Sequence, residues 1–203
     1  MSKRIFILYT GGTIGMVNQD PSNPKSPLIP QSWESIQEYM PSIQEDGYFQ
    51  REKGIQFEYF SFDRISDSSQ FSTGDWLRMA SEIEKRYEEF DGFIIIHGTD
   101  TMAYTASGLS FLFEGLNKPV VVTGSQLPIS HSRTDAINNL SSAIHIAAAE
   151  EFDLQAVNEV CICFNDRLLR GNRATKMSTN DFEGFESPNY GHLAELEEKI
   201  KIH

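Results

Sequence analysis

Four short segments carry hydroxyls, glycines and charged groups in an arrangement suited to acyl chemistry. Tyr9-Thr10-Gly11-Gly12-Thr13-Ile14-Gly15 follows one apolar run, and His97-Gly98-Thr99-Asp100-Thr101 follows another. Thr123-Gly124-Ser125-Gln126 follows a third, and Arg170-Gly171-Asn172-Arg173-Ala174-Thr175-Lys176 brings a lysine. Each glycine lets the backbone approach a ligand closely, and each hydroxyl can donate a hydrogen bond or attack. A threonine hydroxyl is a weak nucleophile until a base takes its proton. A lysine can be that base only after losing its charge. Burial favours that loss and a neighbouring carboxylate opposes it.

Taken singly, these segments are ambiguous. Gly11-Gly12-Thr13 suits a phosphate turn as well as a catalytic one. It is not a dinucleotide fingerprint, because Thr10 stands where the first glycine belongs. No Gly-Lys-Ser/Thr follows, which excludes a phosphate-binding P-loop. His97 reads as a strand-end histidine bonded to its neighbours. Ser68 and Ser69 read equally well as turn residues or as ligand contacts.

Strands and helices must bring these segments together. Apolar, β-branched runs at 5–9, 93–97, 120–123 and 160–164 read as buried strands, and 57–63 alternates like a half-buried one. Helical spacing covers 75–90, 102–116 and 134–150, the first entered through Ser72-Thr73-Gly74. This alternation predicts an α/β fold with an open, mostly parallel sheet and helices on both faces. Ligands in such sheets sit beyond the carboxyl ends of the strands, where the four segments fall. Residues 17–30 hold four prolines and read as a long mobile loop, a lid or a disordered insertion. Residues 193–200 have a short charged helical pattern.

Bulk properties narrow the function classes. The chain of 203 residues fits one domain with or without a short appendage, and its net charge of -12 argues against nucleic acid and anionic membrane as partners. The run after Met1-Ser2-Lys3-Arg4 is only strand-length and leads into Gly11-Gly12, so neither a signal peptide nor a membrane span is expected. Cys161 and Cys163, two apart on a strand, read as buried small hydrophobes rather than a bridge or a zinc site.

The segments in combination say more. Tyr9 through Met16, His97 through Ala106 and Thr175-Lys176, in that order, resemble the bacterial-type L-asparaginases, most closely the cytoplasmic type I branch. Asp67-Ser68-Ser69, Val121 through Gln126 and Phe164 through Arg173 are similar to the same family. The resemblance implies an asparaginase N-terminal domain of Rossmann- or flavodoxin-like architecture. It also implies hydrolysis of L-asparagine to L-aspartate and ammonia without cofactor or metal. On that basis Thr13 corresponds to the nucleophile, and Thr99, Asp100 and Lys176 to the second catalytic group. The backbone N–H groups of Gly12 and Thr99 become oxyanion donors. Ser68 would hold the substrate α-carboxylate, with Ser69 and Gly98 at neighbouring contact positions, and Asp100 would accept from the α-ammonium. The family further implies a cytoplasmic homodimer or dimer of dimers. Residues 1–190 would form the catalytic domain and 191–203 would begin an interdomain linker, with the C-terminal domain absent.

Two departures from the family pattern stand out. Many members carry a tyrosine in the lid loop, where this sequence aligns Leu28. The chain also ends about where the linker to a second domain would begin. Three competing readings follow. An asparagine-sensing module with little turnover is favoured by both departures. The asparaginase-like subunit of a tRNA-dependent amidotransferase is disfavoured by the position of Thr13 and by the acidic charge. A nucleotide-binding Rossmann-like protein is disfavoured by the fingerprint mismatch.

Overall fold

The computed structural model describes residues 2–20, 22–23, 25–63, 67–149, 157–196 and 200–203. In chain order the strands and helices are β1 (Lys3–Tyr9), β2 (Met16–Asn18), β3 (Leu28–Pro30), α1 (Trp33–Glu38), α2 (Tyr48–Lys53), β4 (Ile55–Ser61), α3 (Thr73–Glu84), β5 (Gly92–Ile96), α4 (Met102–Leu112), β6 (Val120–Thr123), α5 (Ala136–Ala148), β7 (Val160–Phe164), β8 (Arg167–Arg170), β9 (Thr175–Lys176), β10 (Phe185–Glu186), β11 (Ala194–Leu196) and β12 (Ile200–Ile202).

The main sheet runs β12-β11-β8-β7-β6-β5-β1-β4. Strands β4, β1, β5, β6 and β7 are mutually parallel, and β8, β11 and β12 extend the sheet antiparallel. Alternation along the strands divides the core. Ile5, Ile7 and Tyr9 of β1 face α1, α2 and α5 through Trp33, Phe49 and Leu140, while Phe6 and Leu8 face α3 and α4 through Met79, Ile83 and Leu109. Both faces of the parallel strands are covered, which is why β5, β6 and β7 are apolar at nearly every position. Cys161 and Cys163 are buried and free, as small hydrophobes in β7.

The chain order around β1 fixes where a ligand can bind. After β1 the chain adds β4 on one side, then crosses to add β5 on the other. That reversal opens a crevice between the carboxyl ends of β1 and β5. Thr10 ties the two ends together. Its N–H donates to Ile96 O over 3.0 Å and its hydroxyl donates to the same oxygen over 2.8 Å.

The structure corrects four local expectations. The segment 17–30 is not a featureless loop, because β2 and β3 pair antiparallel, Val17 opposite Ile29. Between the two strands, Pro21 and Pro24 lie outside the described residues, and Pro27 O accepts from the Gln19 N–H over 2.9 Å. The helical pattern at 193–200 is a hairpin instead. Ala194 pairs with Leu168 of β8 and with Ile202 of β12, so β11 and β12 join the main sheet. Leu193, Ala194 and Leu196 pack on the same core as α5, and a two-strand apolar face outweighs a weak helical period. The helix begun at residue 73 stops at Glu84, and the one begun at 102 stops at Leu112, each short of its apolar pattern. The end expected at Glu150 lies outside the described residues. Among the described residues, no helix is long and apolar enough to cross a membrane.

Candidate active site

The crevice is built by loops that touch backbone to backbone. Gly12 follows β1 with φ +96°, and a Cβ there would stand 2.6 Å from Gly98 N. Gly98 follows β5, and a Cβ on it would stand 2.6 Å from Ser68 Oγ. Any side chain at either position would wedge the loops apart. Ser68 is buried in a short 3-10 turn, whose Asp67 accepts from the Ser69 N–H over 2.9 Å. The Thr101 hydroxyl donates to Ser68 O over 2.7 Å and locks that turn to the start of α4.

Thr13 opens a 3-10 turn directly after Gly12 and is half-buried. Thr99 is buried, with its hydroxyl in a directed chain. Lys176 Nζ donates to Thr99 Oγ1 over 2.8 Å and to Asp100 Oδ1 over 2.8 Å, and Thr99 Oγ1 donates to Gln126 Oε1 over a long 3.5 Å. Lys176 is held from outside the main sheet, on β9, where it pairs with Phe185 of β10. Its side chain is mostly buried while that of Asp100 stays open to solvent. In this arrangement the ammonium supports charge building on Thr99 Oγ1 and pairs with Asp100. To act as a base it must first release a proton, and the Thr99 hydroxyl must then turn from Gln126 toward it.

Gly12, Thr13, Ser68, Gly98, Thr99, Asp100 and Lys176 line one cavity of about 200 Å³, joined by Met16, Asp67, Gln126 and Thr179. Residues far apart in the chain therefore meet in one space. A larger, polar hollow of about 660 Å³ shares Asp100, Lys176 and Thr179 but includes neither Thr13 nor Ser68. The smaller cavity is the one lined by Thr13, Ser68 and Thr99 together. Ser69, at the neighbouring position, is exposed outside this cavity and donates its backbone N–H to Asp67 in the turn. Among the described residues, no group of three His, Cys, Asp or Glu converges as metal ligands would.

Gln126 is the main addition beyond the sequence reading. Its amide nitrogen donates to Ser178 O over 3.4 Å and Asp181 O over 2.8 Å, joining the end of β6 to the segment after Lys176. Asp135 anchors its backbone, accepting from Gln126 N over 2.9 Å and Leu127 N over 3.1 Å. Its place in Thr123-Gly124-Ser125-Gln126, after a buried strand, was the available signal. Leu28, at the expected tyrosine position, is exposed on β3 and offers no proton-accepting group. The nearby Tyr9 phenol is buried and donates to Gln31 O over 3.2 Å, and burial pushes its pKa up, so it is spoken for.

The sequence profile described as Asparaginase, N-terminal matches residues 4–203. The chain belongs to the asparaginase family. It is 42% identical to L-asparaginase 1 of Escherichia coli (strain K12) over 95% of its own length and 53% of that protein. The crystal structure of L-asparaginase I from Vibrio cholerae is 42% identical and superposes with a TM-score of 0.85, covering 100% of this chain and 56% of that one. The probable cytoplasmic L-asparaginase from Campylobacter jejuni is 27% identical, with a TM-score of 0.81, over 100% of this chain and 57% of that one. The chain thus spans about half the length of these relatives.

Proposed function

We propose that the chain carries the nucleophilic half of an L-asparagine amidohydrolase centre. The observation that supports it best is the junction of Lys176, Thr99 and Asp100, bonded at 2.8 Å, in the cavity that also holds Gly12 and Thr13. In this reading the Thr13 hydroxyl attacks the side-chain amide carbon, and its proton passes to the departing nitrogen as ammonia leaves. The negative oxygen formed on attack accepts from the N–H groups of Gly12 and Thr99. Water, deprotonated by the Thr99–Lys176 pair, cleaves the resulting ester to aspartate and returns a proton to Thr13. Asparagine and water thus give aspartate and ammonia. Ser68 suits the α-carboxylate and Asp100 the α-ammonium.

The proposed setting is the cytoplasm, as a homodimer or dimer of dimers, with the substrate a free amino acid. Ammonia release from L-asparagine, L-glutamine and D-asparagine tests the reading directly. Turnover of L-asparagine supports it, and its complete lack overturns it. A second reading, asparagine binding with little turnover, is favoured by Leu28, which leaves no lid phenol for Thr13. Calorimetric binding of L-asparagine without ammonia would select it.

A further inference from the structure

His97, beside the cavity, is a titratable side chain that the proposed chemistry leaves unused. It is fully buried at the end of β5, and its ring stands edge-on to Phe71, centroids 5.0 Å apart. Its Nδ1 lies 2.7 Å from Gly98 O. A carbonyl oxygen can only accept, so Nδ1 carries the proton and Nε2 is a bare lone pair. Burial pushes the imidazole pKa down to about 4, which keeps it neutral near pH 7. Nε2 has no partner among the described residues. An unpaired buried acceptor is unfavourable for folding, and a ring that served only to fill space would avoid it with phenylalanine.

The accepting carbonyl explains the choice. Gly98 C=O and Thr99 N–H are the two ends of one planar peptide unit. A hydrogen bond to the oxygen fixes the rotation of that plane and polarises the N–H at its other end. Among the described residues, no backbone or side-chain acceptor takes the Thr99 N–H. The preceding backbone is pinned separately. His97 N donates to Thr123 O over 2.9 Å, and His97 O lies so close to Gly124 that a Cβ there would stand 2.3 Å away. The Gly98–Thr99 plane, flanked by a glycine, is the part left for the imidazole to set.

We infer that His97 is a positioning residue, whose Nδ1–H holds and polarises the Gly98–Thr99 peptide so that the Thr99 N–H meets the transition-state oxygen. The inference rests on the amidohydrolase reading for its catalytic consequence, but not for its geometry. Two substitutions separate it from simple packing. His97→Phe keeps the ring against Phe71 and removes the donor. His97→Asn loses the ring but places an amide N–H near the former Nδ1. Positioning predicts that Phe lowers kcat by roughly thirtyfold with KM changed less than about threefold, since loss of an oxyanion donor acts on the transition state. It predicts that Asn recovers kcat to within about fivefold of the parent. Packing predicts the reverse order. Unchanged kcat in the Phe variant, or equal losses in both, overturns the inference.

An activity-independent measurement runs beside this. In ¹⁵N NMR of the unsubstituted chain, the His97 nitrogens should report a protonated Nδ1, and the Thr99 amide proton should shift in the Phe variant but not in the Asn variant. A proton on Nε2, or a Thr99 resonance indifferent to His97→Phe, overturns the inference even if the chain releases no ammonia. Lack of ammonia from the unsubstituted chain, with the NMR result as expected, would instead count against the amidohydrolase reading alone.

Discussion

The two threonine loops leave neighbouring strands and reach the same cavity, yet they are held very differently. Thr99 sits in a buried corner, bonded by Lys176, adjoining Gln126, and preceded by a peptide that His97 bonds. Thr13 is half-buried at the head of a 3-10 turn that leads into the β2–β3 hairpin, whose second strand is exposed at every residue. One hydroxyl is preassembled with its proton partners. The other is placed by backbone alone, through the Gly12–Gly98 contact. The lesson is a difference in restraint: the Thr99 side carries a bonded charged group, and the Thr13 side adjoins an exposed hairpin strand.

The sharpest way to break this contrast is to remove each hydroxyl. Thr13→Ala and Thr99→Ala should each lower kcat for L-asparagine by at least about 10³-fold, with melting temperatures close to the parent. Near-normal turnover in either variant would strike that threonine from the mechanism. Lys176→Met should come next, at about 10²- to 10³-fold in kcat, because Thr99 loses its only cationic neighbour among the described residues. A loss confined to KM would recast the lysine as a substrate contact.

Gly12→Ala probes the backbone side of the contrast. A methyl at φ +96° would collide with Gly98, so unfolding stability should fall by about 3 kcal/mol in urea titration. An unshifted midpoint would mean the two loops yield without cost.

pH separates the buried corner by its histidine. The folded pKa of His97, about 4, lies below the ordinary 6.5 of an unfolded histidine. The unfolded chain therefore binds a proton first as pH falls. The stabilising contribution of neutral His97 is intact above about 6.5 and drains away between 6.5 and 4. Its full size is about 3 kcal/mol from the gap between those values. Carboxylates such as Asp75 and Glu82, held low by hydrogen bonds from Ser72 and Lys85, weaken the fold at the acid end as well. The difference between parent and His97→Phe in urea titrations at pH 7 and 4.5 isolates the histidine, and equal slopes would dismiss its share. The smallest effect belongs to Ser69→Ala, within about twofold in KM, since that side chain is exposed outside the cavity.

Much of this was legible in the residues themselves. The apolar runs at 93–97, 120–123 and 160–164 became the buried parallel strands because continuous β-branched sequence suits a sheet covered on both sides. The glycine-and-hydroxyl turns fell at strand ends, where topology puts ligands, and Lys176 was marked by its company. The hairpins were less visible. β2, β3, β11 and β12 have only three residues each, too few for a period to emerge, and they form because a neighbouring edge or core accepts them. Gln126 escaped for another reason. Its contacts depend on which hydroxyl and carbonyls lie across the gap, and that relation is created only when distant segments align. His97, expected to bond its neighbours, bonds the carbonyl of the next residue, Gly98.

The close meeting of Gly12 and Gly98 also bears on how such a chain can diversify. A residue inserted between Tyr9 and Thr13, or between Ile96 and Thr99, would force the two turns out of step, so their lengths are frozen together. Gln19 and Asp20, beyond β2, are exposed and lie outside that contact. Changes of length after them would leave the Gly12–Gly98 meeting as it is, which makes this surface loop the freer place for variation.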